Sequence, residues 1–304
     1  LVGYQVLLRL ARAGRFPLPP EQVANLLTWL IVGVILGGRL GYATFYEQDL
    51  WENPLRLLQI WHGGLSFHGG LLGVVVVGIV WARRWRAPVL ALGDAFVLGI
   101  TPGILAVRLS NFIKGELFGR ACGPSALFGM RFPTDPDAER LLQLWKPLGH
   151  TGSFSVRDVE LRYLEAHSLR YWDAIKGEVP LRHPSQLYEA LGEGLLLGLV
   201  LLILYVWWRR RSSKLGNGIL FGIFLLGYGS VRFVIEFYRQ PDSQFVRPGN
   251  ELGTVLAGFS MGQLLCSIMI ALGLWFIARA CRHPQEATRR GSLWWRSPEG
   301  GTVR

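Results

Sequence analysis

The amino-acid sequence predicts an all-α membrane protein that crosses a lipid bilayer about seven times. Of its 304 residues, 50% are hydrophobic and only 17% are charged, whereas soluble domains carry about 25% charged residues. Residues 1–10 are apolar but too short to cross alone, so we expect them to end a span that starts before the numbered chain. The apolar stretches long enough to cross a hydrocarbon layer of about 30 Å are 23–46, 65–82, 89–107, 186–208, 216–238 and 254–278.

The distribution of basic residues predicts the orientation of these spans. The formal net charge is +11 at pH 7, a value also found in proteins that bind nucleic acid. Here, however, the basic residues cluster in every second loop, around Arg9, Arg83, Arg209 and Arg279. The positive-inside rule places such loops in the cytoplasm. We therefore expect loops 47–62, 114–185 and 239–253 on the outer side, and no nucleic-acid partner.

The chain is predicted to form one membrane domain, residues 1–283, without an internal repeat. Residues 120–182 contain several prolines and mixed charges and are too long for a simple connection, so we expect a small cap on the outer side. Residues 284–304 are predicted to be a disordered basic cytoplasmic tail. The three cysteines form no disulfide pattern and no metal-binding motif, so we predict no metal site.

Ionisable residues inside the spans are the main functional signal. Each costs at least about 2.5 kcal/mol at the bilayer centre and therefore faces a protein interior or a wet cavity. His68 lies among four glycines in segment 63–70, at the outer start of a span. We predict a general base there; the alternative is a buried structural histidine bonded to a carbonyl group. Ser66 is two residues away, a spacing that disfavours a serine–histidine pair on one helix.

An arginine motif at the outer end of span 89–107 is suited to a phosphate ester. Arg108 and Asn111 share a helical face, and Glu116 follows where the helix is expected to end. A guanidinium group donates two parallel hydrogen bonds to phosphate. The alternative is an ion pair between Arg108 and Glu116 that ties two helices together.

A second arginine motif lies in span 216–238. Tyr228, Arg232 and Glu236 are spaced four apart on one stripe of an otherwise apolar helix, so the stripe is predicted to face the protein interior. A second arginine near an anionic headgroup is one interpretation. An internal salt bridge between Arg232 and Glu236 is the other.

Two further polar groups lie near outer ends of spans. Arg39 and Tyr42 follow a glycine pair on one helical face, and His183, Gln186 and Glu189 lie where span 186–208 begins. For the second group, structural capping of a helix is an open alternative. Since all these clusters lie toward the outer leaflet, we expect one shared site there, in an enzyme that acts on lipid.

Two other functions are compatible with buried charges. A transporter is disfavoured because such proteins usually show internal repeats and helices broken at the bilayer midplane. An intramembrane protease would need a serine–histidine or paired-aspartate arrangement on separate helices, and Ser66 with His183 is the serine version that the sequence offers.

Several ordered segments resemble those of the bacterial prolipoprotein diacylglyceryl transferase family, over about residues 1–280. The family signature keeps its arginine, asparagine, phenylalanine, glutamate and final glycine here as Arg108, Asn111, Phe112, Glu116 and Gly119. Val107, Ser110 and Lys114 depart from it, and Lys114 adds a positive charge where the family has an amide. The other similar segments are 37–42, 63–70, 183–189, 228–242 and 260–263.

The resemblance implies transfer of the diacylglyceryl group of phosphatidylglycerol to the lipobox cysteine thiol of prolipoproteins, with release of glycerol phosphate. It implies a site at the outer face of the bacterial cytoplasmic (inner) membrane and requires no metal or organic cofactor. His68 would take the thiol proton, Arg108 and Arg232 would stabilise the departing phosphate, and Glu116 and Glu236 would orient the arginines. The residues assigned to substrate binding are Asn111, Gly119, Tyr228, Arg39, Tyr42, His183 and Gln186.

Overall fold

The computed structural model is mostly helical. It describes residues 1–45, 47, 54–138, 140, 172–173, 175–210, 216–241, 248–250 and 253–283. The predicted tail 284–304 and residues 141–171 of the predicted cap lie outside this described part, so neither prediction is tested.

The helices follow the predicted apolar segments. The first five are α1 (Val2–Arg12), α2 (Pro20–Phe45), α3 (Pro54–Leu57), α4 (Phe67–Arg84) and α5 (Val89–Lys114), with a short 3₁₀ turn at Ile60–His62. Next, α6 (Ser185–Glu189) continues through a π-helical stretch, Ala190–Leu196, into α7 (Leu197–Arg210). The last two are α8 (Ile219–Ile235) and α9 (Met261–Arg282).

Four helical stretches among the described residues are long and apolar enough to cross a membrane. They are Pro20–Thr44, Val89–Lys114, Ser185–Trp208 and Met261–Arg282. The predicted spans 65–82 and 216–238 correspond to helices α4 and α8, which have 18 and 17 residues. Residues 2–10 fall within α1, which has 11 residues. A helical membrane protein is thus confirmed, while the number of seven crossings stays a prediction.

The predicted span 254–278 begins later than expected, because its first residues form a small hairpin. Strands β1 (Thr254–Leu256) and β2 (Phe259–Ser260) pair antiparallel. Between them, Ala257 and Gly258 adopt φ values of 50° and 80°, a left-handed turn that no helix accommodates. Helix α9 then begins with a capping box: the Gln263 N–H donates to Ser260 Oγ at 3.1 Å, and the Ser260 N–H donates to Gln263 Oε1 at 3.0 Å.

The described chain divides into two compact units, and the first comprises Leu1–Ile100, Leu201–Phe224 and the chain from Leu274. Glycines on α2 and α4 face each other within it. A Cβ atom at Gly73 would lie 2.6 Å from the carbonyl carbon of Gly33, and one at Gly41 would lie 2.9 Å from Gly69 Cα. Such small-residue stripes let two helix backbones approach closely, which fixes the start of α4 against α2.

A buried carboxylate fixes the start of α8 in the same unit. Asp94 of α5 accepts hydrogen bonds from the N–H groups of Gly218 and Phe221, at 2.7 and 2.8 Å. The first turn of a helix has N–H groups without intrahelical partners. Asp94 therefore caps a helix other than its own, a role that the sequence alone does not indicate.

The second unit comprises Thr101–Val200 and Leu225–Gly273. In it, the π-helical stretch packs directly on two other helices through glycines. A Cβ atom at Gly194 would lie 2.7 Å from Leu105 Cα, and one at Gly192 would lie 2.6 Å from Val231 Cγ1. Because these glycines have no side chain, the π-helical stretch lies directly on the α5 backbone at Leu105 and on the Val231 side chain of α8. The carboxylates beside the glycines therefore come close to polar side chains of α5 and α8.

Candidate functional site

Glu189 is the centre of an ion-pair cluster in the second unit. Its carboxylate is completely buried and interacts with arginines from two other parts of the chain. Arg108 Nη1 of α5 lies 3.1 Å from Oε2, and Arg239 Nη1, just beyond α8, lies 3.0 Å from Oε1. Arg232 Nη1 of α8 donates a short hydrogen bond to the same Oε1. One carboxylate therefore holds three guanidinium groups together.

Glu236 forms the second carboxylate of this cluster. Its Oε2 lies 3.3 Å from Arg232 Nη2 and 3.9 Å from Arg239 Nε. Ser260 donates its hydroxyl to Glu236 Oε1 at 3.1 Å, which ties the helix start at α9 to the cluster. The predicted salt bridge between Arg232 and Glu236 is thus present, but it belongs to a larger network.

Glu193 is a third carboxylate at the edge of the cluster. It lies in the π-helical stretch, is completely buried, and its Oε2 is 3.9 Å from Arg108 Nη2. The Tyr228 side chain of α8 interacts with the same carboxyl group. The cluster therefore contains three arginines and three glutamates, of which Glu236 and Arg239 lie just beyond the end of α8 and the others lie on helices.

The arginines of this cluster are partly exposed, as is Glu236 at 14%. The side chains of Arg108, Arg232 and Arg239 are 16–17% exposed, whereas that of Glu189 is 0% exposed. Guanidinium groups held in fixed positions in a low-dielectric setting bind phosphate or carboxylate without reorganisation. The arrangement is thus suited to an anion that approaches from the open side.

The expected pairing of Glu116 with Arg108 is not the one that the structure contains. Arg108 pairs with the two glutamates of the neighbouring helix, while Glu116 Oε1 lies 4.0 Å from Lys114 Nζ, with both side chains more than half exposed. Helix α5 ends at Lys114, and Gly115 turns the chain with a φ of 69°. The Glu116 N–H then returns to the Asn111 carbonyl at 2.8 Å, which leaves the Glu116 carboxylate directed outward.

Three other residues predicted to bind substrate hold the loop after α5 in place. The buried Gln186 side chain donates to the Glu116 carbonyl at 2.7 Å. The Gly119 N–H donates to the His183 carbonyl at 2.8 Å, and a Cβ at Gly119 would lie 3.0 Å from His183 Cβ. His183 Nδ1 is 3.3 Å from the Tyr188 hydroxyl. Their described contacts are within the protein, and substrate contact by these side chains stays a prediction.

Arg39 organises a loop in the first unit. The side chain is 7% exposed, and the Tyr42 ring centroid is 5.9 Å from its guanidinium carbon. Every N–H donor of a guanidinium group finds a main-chain partner here, since Nε, Nη1 and Nη2 donate at 2.6–3.4 Å. The accepting carbonyls are those of Leu57, Gly63, Gly64, Arg56 and Gln59.

His68 lies at the second residue of α4 and is exposed. The burial expected of a structural histidine is therefore not found, and the role of His68 as a general base stays a prediction. Ser66 is buried and acts as the N-cap of α4, because its hydroxyl oxygen accepts the Gly69 N–H at 3.3 Å. This capping role accounts for Ser66 without a catalytic function.

The sequence-predicted residues fall in both units. Arg39, Tyr42 and His68 belong to the first, and the arginine–glutamate cluster belongs to the second. The expectation of one shared site for all of them stays a prediction.

Neither a metal centre nor an activated cysteine stands out in the described chain. Within the described ranges, no group of three or more histidine, cysteine, aspartate or glutamate side chains is placed to hold a metal ion. All three cysteines are free thiols. Desolvation raises the pKa of the Cys122 thiol, which is the opposite of what a reactive cysteine needs.

Sequence reasoning missed the central role of Glu189, and it overlooked Glu193. Both lie within the apolar stretch Ser185–Trp208, so the rule that marks ionisable residues inside spans applies to them as it does to the arginines. Glu189 had a ready structural explanation as part of a helix start. The contacts with Arg108 and Arg232 show that its side chain is directed into the cluster instead.

The sequence is similar to proteins of known family. A family model described as prolipoprotein diacylglyceryl transferase matches residues 1–279. A phosphatidylglycerol–prolipoprotein diacylglyceryl transferase of Ruegeria pomeroyi is 45% identical over 272 residues, covering 87% of this chain and 78% of the relative. Those of Cereibacter sphaeroides (40% over 293 residues, 93% and 87% covered) and Citrobacter koseri (41% over 272 residues, 88% and 80% covered) are similar at the same level. The chain therefore belongs to the prolipoprotein diacylglyceryl transferase family, a family of transferases.

Proposed function

We propose that this protein transfers the diacylglyceryl group of phosphatidylglycerol to the lipobox cysteine of prolipoproteins and releases glycerol phosphate. The names of its relatives give both substrates. The observation that carries the proposal is the cluster of three partly exposed arginines around a buried glutamate, in helices suited to a membrane. An anionic lipid headgroup is the ligand that matches such a site.

The reaction forms one carbon–sulfur bond and breaks one carbon–oxygen bond. The cysteine thiolate attacks the glyceryl carbon that carries the phosphate ester, because the thiolate and not the thiol is the nucleophile. The electron pair of the broken bond leaves on the phosphate oxygen. Negative charge therefore grows on the departing glycerol phosphate, where Arg108 and Arg232 stabilise it. The products are a thioether and glycerol phosphate.

The carboxylates determine the direction of the arginines. Glu189, whose side chain is completely buried, orients Arg108 and Arg232. Glu236 orients Arg232 and Arg239. The arginine side chains remain partly exposed while they are paired with these glutamates. They therefore bind the phosphate without first breaking the ion pairs. In this scheme Glu189 takes the orienting role at Arg108 that the sequence assigned to Glu116.

His68 is the proposed base for the thiol proton. Its exposed position in the first turn of α4 leaves the imidazole accessible, and imidazole accepts protons near neutral pH. Asn111 and Tyr228 are proposed to donate hydrogen bonds to headgroup or ester oxygens. Gly119, Gln186, His183, Arg39 and Tyr42 are proposed to shape the substrate-binding surface.

The membrane orientation also belongs to this proposal. Family membership and the apolar helices make the chain a membrane protein. With the basic loops in the cytoplasm, we infer about seven crossings of the bacterial inner membrane and an active site toward its outer face.

The test is a transfer assay in membranes that contain phosphatidylglycerol and a lipobox peptide. A mass increase of the peptide by one diacylglyceryl group supports the proposal, whereas peptide cleavage would favour a protease. Arg108→Ala and His68→Gln are expected to abolish transfer while the protein remains inserted. Arg108→Lys is also expected to abolish transfer, since the ammonium group of lysine lacks the planar pair of donors of a guanidinium group.

Arg131→Ala is a matched control for loss of an arginine. Arg131 is an exposed residue whose Nε donates to the Val179 carbonyl at 2.9 Å, and it is not a member of the arginine–glutamate cluster. This variant is expected to transfer normally. Full transfer activity of both Arg108→Ala and His68→Gln would contradict the roles proposed for these two residues.

A further inference from the structure

Glu193 is placed beside the arginine cluster by an irregular turn. It lies in the π-helical stretch Ala190–Leu196, whose flanking glycines pack directly on Leu105 of α5 and Val231 of α8. π-Helical turns inside α-helices frequently mark functional sites. The side chain is completely buried, so bulk water does not stabilise a charge on it directly.

Charged and titratable groups from three other described helices lie around Glu193. Arg108 faces it from α5, Tyr228 and Arg232 face it from α8, and Cys266 interacts with it from α9. Glu189 lies one turn away on its own helix. Of these groups, the nearest cation is Arg108, whose Nη2 is 3.9 Å from Glu193 Oε2.

The other two carboxylates already occupy the arginines more closely. Arg108 is 3.1 Å from Glu189, and both Arg232 and Arg239 are shared between Glu189 and Glu236. Glu193 therefore has the weakest cationic partner of the three carboxylates and no exposure. A buried carboxylate without a close, hydrogen-bonded cation is costly in the ionised form and takes up a proton instead.

We propose that Glu193 carries a proton in the resting protein, so that the cluster keeps one net positive charge for a phosphodiester anion. Three arginines against ionised Glu189 and Glu236 give a net charge of +1. A phospholipid phosphodiester has one negative charge and makes the occupied site neutral. With Glu193 ionised, the empty site would already be neutral and the bound anion would remain uncompensated. Glu193 is then a residue that determines specificity for a singly charged headgroup, which rests on the proposed function.

Infrared spectroscopy tests the proton directly, without any substrate. The difference spectrum between the purified full-length protein and its Glu193→Gln variant is expected to contain the carbonyl stretch of a protonated carboxyl group. Glu193→Asp keeps a carboxyl group and is expected to shift this band. Glu189→Gln is the matched control and is expected to remove only carboxylate bands, because Glu189 faces three arginines. A difference spectrum for Glu193→Gln with carboxylate bands alone would overturn the proposal.

The pH dependence of lipid binding tests the consequence. Affinity of the wild-type protein for dioctanoyl phosphatidylglycerol is expected to fall about tenfold or more toward alkaline pH, as Glu193 ionises beside the bound anion. In Glu193→Gln this decline is expected to disappear. Tyr228 and Cys266 are retained in the variant, so any decline that they cause would remain in it. A decline that persists in Glu193→Gln, or a loss of its affinity already at neutral pH, would therefore refute a protonated Glu193.

The two experiments separate this inference from the proposed function. If the wild-type protein neither binds phosphatidylglycerol nor transfers its diacylglyceryl group, the proposed function fails, whereas the infrared band still decides whether Glu193 is protonated. If transfer occurs and the band is missing, the function stands and the inference fails.

Discussion

Replacement of Glu189 by glutamine is the perturbation that most directly tests the arginine cluster. The change keeps the shape of the side chain but removes the one charge that three guanidinium groups share. Loss of one partner from a buried ion-pair network costs about 3–5 kcal/mol, because the remaining charges are left uncompensated. The arginines are 16–17% exposed and Arg232 and Arg239 keep Glu236. We therefore expect Glu189→Gln to lower the free energy of unfolding by about 3 kcal/mol, the lower end of that range.

The expected loss of activity is larger than the loss of stability. Arg108 and Arg232 both lose the carboxylate that directs them, and removal of a single preorganised donor already lowers turnover by about 10²- to 10³-fold. Denaturant unfolding in mixed micelles measures the stability, and the lipobox peptide assay measures the transfer rate. Glu116→Gln is the stability control: its pair with Lys114 is exposed, so a change within about 0.5 kcal/mol is expected. A Glu189→Gln protein that unfolds like the wild type and transfers at a normal rate would refute the central role of Glu189.

Three further substitutions, each with a control or a companion variant, test packing and helix capping within the two units. Gly73→Ala would put a methyl group against the Gly33 carbonyl and is expected to lower the free energy of unfolding by about 1–3 kcal/mol. Gly78→Ala on the same helix meets only a ring carbon of Phe96 at 4.0 Å, and denaturant titration should show it unchanged or slightly more stable. Gly194→Ala would bring a Cβ within 2.7 Å of the Leu105 backbone and displace the π-helical stretch, so the transfer rate is expected to fall on the order of 10²-fold. Its control, Gly103→Ala, adds a methyl group in open space and should transfer normally; equal rates for the two variants would argue against the importance of this contact. Asp94→Ala removes the acceptor for two N–H groups at the start of α8, and an unfolding free energy lower by about 1–2 kcal/mol is expected, with Asp94→Asn intermediate between Ala and wild type.

Local spacing explains which parts of the site the sequence determined. Residues three or four apart on a helix share one face, so the link between Arg232 and Glu236 followed from spacing alone. The same rule placed Arg108 and Asn111 together. Hydropathy likewise identified the helical segments, because an apolar stretch of sufficient length has few alternatives to a membrane helix.

Contacts between helices explain what the sequence left undecided. Glu189 and Arg108 lie on different helices, and no local spacing relates them; their contact depends on how closely the helices approach. That approach depends in turn on glycines such as Gly192 and Gly194, whose neighbours are known only from the packed structure. Glu116 likewise pairs with Lys114 and not with Arg108, because the backbone on either side of it is left-handed, with φ values of 69° at Gly115 and 57° at Leu117.

The sequence by itself determined a helical membrane protein, its family, and the polar residues that are proposed to act on lipid. It did so because ionisable groups inside apolar spans are too costly to be there without a partner or a function. Only the tertiary structure decided which carboxylate each arginine meets, that Ser66 caps a helix, and that Glu193 stands at the edge of the cluster with the most distant cation. Those choices depend on distances between separate helices, and such distances follow from packing, not from the order of residues along one helix.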